Sequence, residues 1–246
     1  MTDDGHHWLT LHRVRFPKAV SVSDSDFDAP ARAECWRFCP SHGMNEKGLP
    51  LWSSETWGGL GIYETRADAE AMFADPGAHL PWLDRAEEAW HALAIPIAHH
   101  GEVNWRGAVE DGTALRSGKV PVTGPMIVVT TAGYKSRSPD QIPRIAKFMA
   151  DVQSVIEFYG TLPGNICRDV FNGGFDGRDG FTLSLWASDR DMIGAAYKPG
   201  RHKTYMDESR DGSVFDRSSF TRARLVDSRG KWDGADVPPA MVVHNI

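Results

Sequence analysis

Two stretches decide the fold: GLGIYETRADAEAMFADPGAHLPWLD at residues 59–84 and FTLSLWASDRDMIGAAYKPGRHKTYMD at residues 181–207. They share an order of apolar, acidic and turn residues, and each contains a Pro-Gly-x-His element. The histidines of this element, His79 and His202, lie 123 residues apart. NWRG at residues 104–107 and KWDG at residues 231–234 continue the alignment. Such an internal repeat indicates a duplicated structural unit.

The second copy predicts the order strand, helix, two strands, helix, strand. Residues 125–133, 165–171, 180–187 and 219–227 are β-branched or alternating runs that are typical of strands. Apolar residues recur every three or four positions up to Gly160, which predicts a helix ending there. Capping-box patterns at Thr65 and Ser188 start the second helix of each copy. In the first copy we predict strands at residues 8–16 and 34–39 and a first helix within residues 18–33.

The order βαββαβ is that of the ferredoxin-like unit, so the predicted class is α+β. A sheet with helices on one face must bury its other face, and two repeats can bury these faces against each other. We therefore predict a dimeric-α+β-barrel-type fold within one chain, with a cavity between the two sheets. The predicted parts are a repeat at 8–107, a linker at 108–124, a second repeat at 125–234 and a tail at 235–246.

Composition excludes several classes of protein. The 246 residues carry a formal charge of −6, which argues against a general nucleic-acid binder. No apolar run is long enough to span a bilayer, and the acidic start MTDDGHH is unlike a signal peptide. Three cysteines are too few for a disulfide framework, so we expect a reduced, cytoplasmic protein. Nine tryptophans suit either a plain core or a pocket for a flat ligand.

His202 is the principal candidate for holding a metal. Pro199 and Gly200 interrupt the preceding helix, and His202, Tyr205 and Met206 then share one face of the following turn. An imidazole above an apolar, aromatic face can offer a neutral nitrogen to the metal of a cofactor. A histidine that only caps or packs at a helix start is the structural alternative.

Arginines on the predicted strands are candidates for binding carboxylates of a cofactor. In the last strand Arg222 and Arg224 alternate with Thr221, Ala223 and Leu225, and the small apolar set suits the helix-covered face. Arg222 and Arg224 would then face the cavity, where a guanidinium can pair with carboxylates. A surface salt bridge is the alternative for these two arginines and for Arg168.

Several stretches in register resemble the spheroidene monooxygenase family of acyclic carotenoid oxygenases. They are CWRFCPSHGMNEKGL, WGGLGIYETRADAEAMFADP, NWRG, the segment at 124–160, FTLSLWASDRDM, GRHKTY and FTRARLVDSRGKWDG. The resemblance implies a dimeric α+β barrel, haem b as cofactor and His202 as the proximal iron ligand. Tyr205, Met206, Trp186, Arg222 and Arg224 are then expected to contact the cofactor.

The resemblance implies a haem-dependent, monooxygenase-like oxidoreductase. Polar loops such as NGGFDGRDG favour a small or medium organic substrate over a carotenoid, and we expect the reaction to belong to a biosynthetic pathway. Arg168, Tyr134 and His79 are the candidates for catalytic groups beside the haem. The alternatives are a haem-dependent dehydratase of the aldoxime-dehydratase type, a non-catalytic haem-binding protein and a cofactor-free monooxygenase of the antibiotic-biosynthesis type. Homodimerisation is allowed but not required.

Overall fold

The second half of the chain has the predicted βαββαβ order. The computed structural model describes residues 5–21, 30, 32–41, 53–101, 115–120, 124–134, 138–173, 179–197 and 215–237. The elements of the second half are β5 (Met126–Tyr134), α3 (Ile142–Gly160), β6 (Asn165–Gly173), β7 (Asp179–Trp186), α4 (Asp189–Tyr197) and β8 (Phe215–Trp232). A two-residue strand, β9 (Ala235–Asp236), pairs with β8. The last strand is therefore longer at both ends than its apolar pattern predicted.

The first half has the same strand order. It contains β1 (Trp8–Ser21), β2 (Cys35–Pro40), β3 (Ser53–Tyr63), α1 (Arg66–Ala74), α2 (Pro76–His79), a 3-10 turn (Pro81–Arg85) and β4 (Glu88–Gly101). Residues 18–21 belong to β1 and are not helical as predicted. Most of the remaining segment of the predicted first helix lies outside the described residues. The capping box of α1 is confirmed, because Thr65 Oγ1 accepts from the Asp68 amide and donates to its carboxylate.

The two halves form one continuous antiparallel sheet. Its strand order is β2-β3-β1-β4-β8-β5-β7-β6, so β4 and β8 join the halves. An isolated bridge between Ser41 and Phe171 connects the β2 end to the β6 end. The sheet therefore closes on itself, which is the barrel that the repeat predicted.

The interior of the barrel is a packed core. All eight long strands contribute to one cluster of buried residues, among them Leu11, Ile62, Trp90, Phe171, Leu183 and Leu225. In the part of the chain that the structure describes, these side chains fill the space between the two half-sheets, so the prediction of a cavity there is wrong. Eight strands enclose a space that side chains can fill, and large residues such as Trp90 fill it here.

The predicted orientation of β8 is also wrong. Ala223 and Leu225 belong to the interior cluster, whereas the side chain of Arg224 contacts α4 on the outer, helix-covered face. The physical reason is that the part of the interior beside Ala223 and Leu225 is apolar, so a guanidinium at position 224 would lack partners there. On the helix side Arg224 Nη2 donates to Asp189 Oδ2 over 2.9 Å.

One buried arginine closes an end of the barrel. Arg13 Nε donates to Asp169 over 3.2 Å, Nη1 to Glu88 over 3.3 Å and Nη2 to Asp233 over 2.7 Å. Its guanidinium carbon lies 4.8 Å from the ring centre of Trp232. These partners come from both halves of the chain, so Arg13 ties the halves together.

The three cysteines are free thiols with buried side chains. They lie on the interior faces of β2 and β6, and burial raises the pKa of Cys167. Among the described helices, none has the length and apolar character needed to cross a bilayer.

Candidate ligand cavity

An apolar cavity lies between the helices and the sheet of the second half. It encloses about 190 Å³ and is open on one side. The helices contribute Phe148, Met149, Val152, Val155, Ile156, Tyr159, Met192 and Ala196, and the strands contribute Val128, Val170, Phe181, Trp186 and Phe220. The cavity is thus on the outer side of the barrel wall, opposite to where the sequence placed it.

Small residues on the sheet leave room for this cavity. Ala132 and Gly180 are register partners on β5 and β7, and both line the cavity floor. A Cβ atom added at Gly180 would lie 2.6 Å from Cβ of Asn172, which is closer than real contacts allow. The close approach of β6 and β7 therefore requires glycine at position 180.

Trp186 is the predicted cofactor-contacting residue that the structure places at the cavity. Its side chain is buried, and Nε1 donates to Ser184 Oγ over 2.9 Å. The ring of Tyr159 meets it edge-on at a centroid distance of 4.9 Å. Helix and sheet thus hold the indole in one orientation, with its hydrogen-bond donor satisfied within the sheet.

A polar corner interrupts the otherwise apolar floor of the cavity. It consists of Thr130 on β5, Thr182 on β7 and Asn172 on β6, and all three line the cavity. Thr130 and Thr182 are direct register partners. Asn172 pairs with Gly180, which lies two positions before Thr182 on β7. Sequence reasoning missed this corner. Polar residues on one face of three apolar strands are its only signal, and their meeting depends on the strand register.

Arg168 lies outside the lining of this cavity. Its Nε donates to the carbonyl oxygen of Ile156 over 2.8 Å, and Nη1 donates to Asn165 Oδ1 over 3.3 Å. Ile156 lies one turn before the end of α3, and a guanidinium is favourable beside the carboxyl end of a helix. Arg168 therefore stabilises this end of α3, and its predicted catalytic role stays a prediction.

The other predicted site residues are spread over the molecule. His79 is half-buried at the end of α2 in the first half, and Arg222 is half-buried on β8. Tyr134 is the last residue of β5, and its side chain lies outside the described part of the chain. His202, Tyr205 and Met206 lie in the segment 198–214, which is also outside the described residues. Among the predicted residues whose side chains the structure describes, Trp186 is the one that lines the cavity.

The first half contains two buried histidines that the sequence reasoning did not single out. Nδ1 of His12 lies 2.7 Å from Nδ1 of His91, and His12 Nε2 lies 3.0 Å from Thr10 Oγ1. Burial is the main cause that lowers the pKa of His91 to about 4 and the pKa of His12 well below its usual value. Arg229 adds to both shifts. Both rings are therefore neutral at neutral pH.

Among the described residues, His7, Glu34 and Glu64 form the group whose spacing suits a metal ion. The backbone amide of Arg116 donates to His7 Nδ1 over 2.8 Å, so a neutral His7 carries its proton on Nε2. Nε2 lies 3.1 Å from Glu34 Oε2 and donates to it. Since both ring nitrogens are already used, His7 has no lone pair to offer a metal.

The fold is shared with solved enzymes, although the sequence is distant. No family model matches the chain, and no curated protein resembles it in sequence. An aldoxime dehydratase solved with butyraldoxime is 10% identical, with 91% of this chain and 81% of that chain covered at a TM-score of 0.56. A second aldoxime dehydratase is 9% identical, with 91% and 83% covered at the same TM-score.

A cofactor-independent oxygenase from Streptomyces nogalater is 12% identical and aligns with only 41% of this chain at a TM-score of 0.33, too low to support a conclusion. Identities of this size establish the fold alone. The chain therefore has the dimeric α+β-barrel type of fold. The shared fold does not determine the chemistry of this chain, which depends on the residues of its own cavity.

The cavity offers walls for part of a haem group, because its enclosed volume of about 190 Å³ is smaller than a porphyrin. A porphyrin needs flat apolar walls, which the valines, phenylalanines and Trp186 provide. A ligand larger than 190 Å³ would extend through the open side. The described lining contains no histidine or cysteine, so a residue that would hold the iron would have to come from another part of the chain.

Proposed function

We propose that this protein is a haem-dependent enzyme that transforms a small or medium organic molecule in the cavity of the second half. The observation that carries the proposal is the apolar cavity beside α4, the helix that leads into the segment with His202. Oxygenation is the first candidate reaction, in agreement with the resemblance to the spheroidene monooxygenase family.

His202 is within reach of the cavity. Ala196 lines the cavity one residue before α4 ends at Tyr197. Five further residues lead to His202, and five residues of extended chain span at most about 18 Å. Pro199 and Gly200 follow α4 in the sequence, and such residues disfavour the continuation of a helix. We therefore assign His202 as the residue that would hold the haem iron and Trp186 as a wall of the cofactor site.

The haem and the protein side chains would have different roles in the reaction. Haem supplies the redox chemistry or a Lewis-acidic iron when it is bound. The side chains of α3 and of the sheet exclude water from the cavity and orient the organic substrate. Trp186 is held by Ser184 and Tyr159, so the wall is rigid before any ligand enters.

Dehydration of an aldoxime is the second candidate. It is favoured by the match to two aldoxime dehydratases over 91% of this chain. That reaction removes water without an external oxidant, so the two candidates differ in what must be added for turnover. A cofactor-free oxygenase and a haem-binding protein without turnover are the remaining readings.

The absorption spectrum of the purified protein tests the proposal. Haem-loaded protein is expected to show a strong band at about 400 nm. His202→Ala should remove or shift this band, whereas His100→Ala, at an exposed histidine of β4, should leave it unchanged. An unaltered spectrum of the His202→Ala variant would show that another residue ligates the iron.

Turnover assays then separate the reactions. Protein with the haem band is offered an organic substrate with oxygen and a reductant, and separately butyraldoxime without an oxidant. Formation of a nitrile identifies dehydration, and a hydroxylated product identifies oxygenation. If the protein is colourless and gains no band with haemin, the cofactor-free oxygenase is the remaining candidate. If haem-loaded protein shows no turnover, the haem-binding protein is the remaining candidate.

A further inference from the structure

We infer that the polar corner formed by Thr130, Asn172 and Thr182 makes this cavity select small apolar molecules that carry one O–H or N–H donor. The inference rests on the proposed function only in taking the cavity as the ligand site. It names the chemical class of that ligand and Asn172 as the residue that recognises it.

Asn172 carries the argument because its amide is buried without adequate partners. The side chain is 4% exposed, and its Nδ2 donates to the sulfur of Met149 over 3.1 Å. Within the described part of the chain, its Oδ1 has no hydrogen-bond partner. A buried acceptor without a partner is unfavourable, and a donor on a bound ligand would supply the missing hydrogen bond.

The threonines complete the recognition of such a donor. Thr130 and Thr182 stand opposite each other on β5 and β7 and line the cavity beside Asn172. A hydroxyl both donates and accepts, so it can bond the oxygen or nitrogen of a ligand whose hydrogen goes to Asn172. The rest of the lining is largely apolar, which suits a ligand body without further polar groups.

The size of the cavity limits the ligand. An apolar cavity of about 150 Å³ accommodates benzene. The enclosed 190 Å³ therefore suits a body of benzene size with one small polar group, or an aliphatic chain of similar volume. The corner lies on the sheet side of the cavity and α4 lies on its helix side, so this inference and the assignment of His202 use opposite walls.

A matched set of ligands tests the inference by isothermal titration calorimetry on the protein as purified. Phenol has the donor, toluene has the same shape without it, and anisole keeps an oxygen acceptor but no donor. We expect phenol to bind about tenfold more tightly than toluene or anisole, which is the size of one hydrogen bond to a buried group. Asn172→Leu should remove this preference and keep toluene binding, which also shows that the variant is folded.

Gln153→Leu is the control, because Gln153 is an amide on α3 that does not line the cavity and bonds Glu157. It should keep the tenfold preference, and Thr182→Val should reduce it. The inference is overturned if wild-type protein binds phenol and toluene equally, binds neither, or keeps its preference in Asn172→Leu. A colourless protein that prefers phenol would refute the haem proposal alone, and a haem-loaded protein without the preference would refute this inference alone.

Discussion

Mild acid should destabilise this protein through two histidines of the first half. His12 and His91 contact each other through their Nδ1 atoms at 2.7 Å, and both side chains are buried. A bond of this length places one hydrogen between the two Nδ1 atoms, so the two rings cannot both be protonated. Burial and the nearby Arg229 oppose protonation, which is why the pKa of His91 falls to about 4.

The size of the effect follows from proton linkage. A histidine of the unfolded chain titrates near 6.5, so the unfolded chain takes up a proton at this position as the pH falls below that value. The folded protein does not, because the folded pKa of His91 is about 4. Stability is therefore complete above about pH 6.5 and is lost as the pH falls toward 4.

Between pH 7 and about pH 5 this linkage removes about 2 kcal/mol for His91. The pKa of His12 is also lowered well below its usual value, mainly by burial, so His12 adds to this loss. A loss of more than about 2 kcal/mol is a large part of the roughly 5–15 kcal/mol that stabilises a typical domain.

Urea unfolding at the two pH values measures this loss. The double variant His12→Gln/His91→Gln keeps polar side chains that can bond each other but cannot be protonated in this range. It should lose at least about 2 kcal/mol less than the wild type between pH 7 and pH 5. His100→Gln, at an exposed histidine, should behave as the wild type. Equal losses in the wild type and the double variant would refute a buried, neutral pair.

Two further predictions concern the interior of the barrel. Arg13→Met should lower the free energy of unfolding by about 3–5 kcal/mol in urea titrations, because it removes the buried cation that contacts the buried carboxylates of both Asp169 and Glu88; a loss below 1 kcal/mol would contradict this account. Ellman's reagent should not react with native protein on the timescale of its reaction with urea-unfolded protein, which should yield three thiols, since Cys35, Cys39 and Cys167 are all buried. Rapid labelling of the native protein would show that the interior opens.

The local sequence pattern predicts one residue of the candidate site, Trp186, and does not predict another, Asn172. Trp186 stands at the end of an alternating strand, and its place beside a helix follows from the repeat. Asn172 is an ordinary polar residue at the end of a strand when the sequence is taken alone. It becomes a recognition candidate only because Gly180 brings β6 and β7 close and because α3 covers it.

The repeat, the βαββαβ order and the starts of α1 and α4 were determined by the sequence itself. They depend on periodicity and capping, which act between residues close in the chain. Alternation in β8 likewise separated Arg224 from Leu225. It did not determine which set faces inward, and we predicted the wrong face.

Only the tertiary structure decided which face of β8 points inward, that the interior is packed and where the cavity lies. Strand alternation is symmetric with respect to the two faces of a sheet, so the choice depends on what each face meets after the barrel closes. Two other features also depend on the tertiary structure. They are the contact between His12 and His91, which are 79 residues apart, and the closure of the sheet at Ser41 and Phe171. They result from long-range packing of complete strands, and no local property of the chain encodes them.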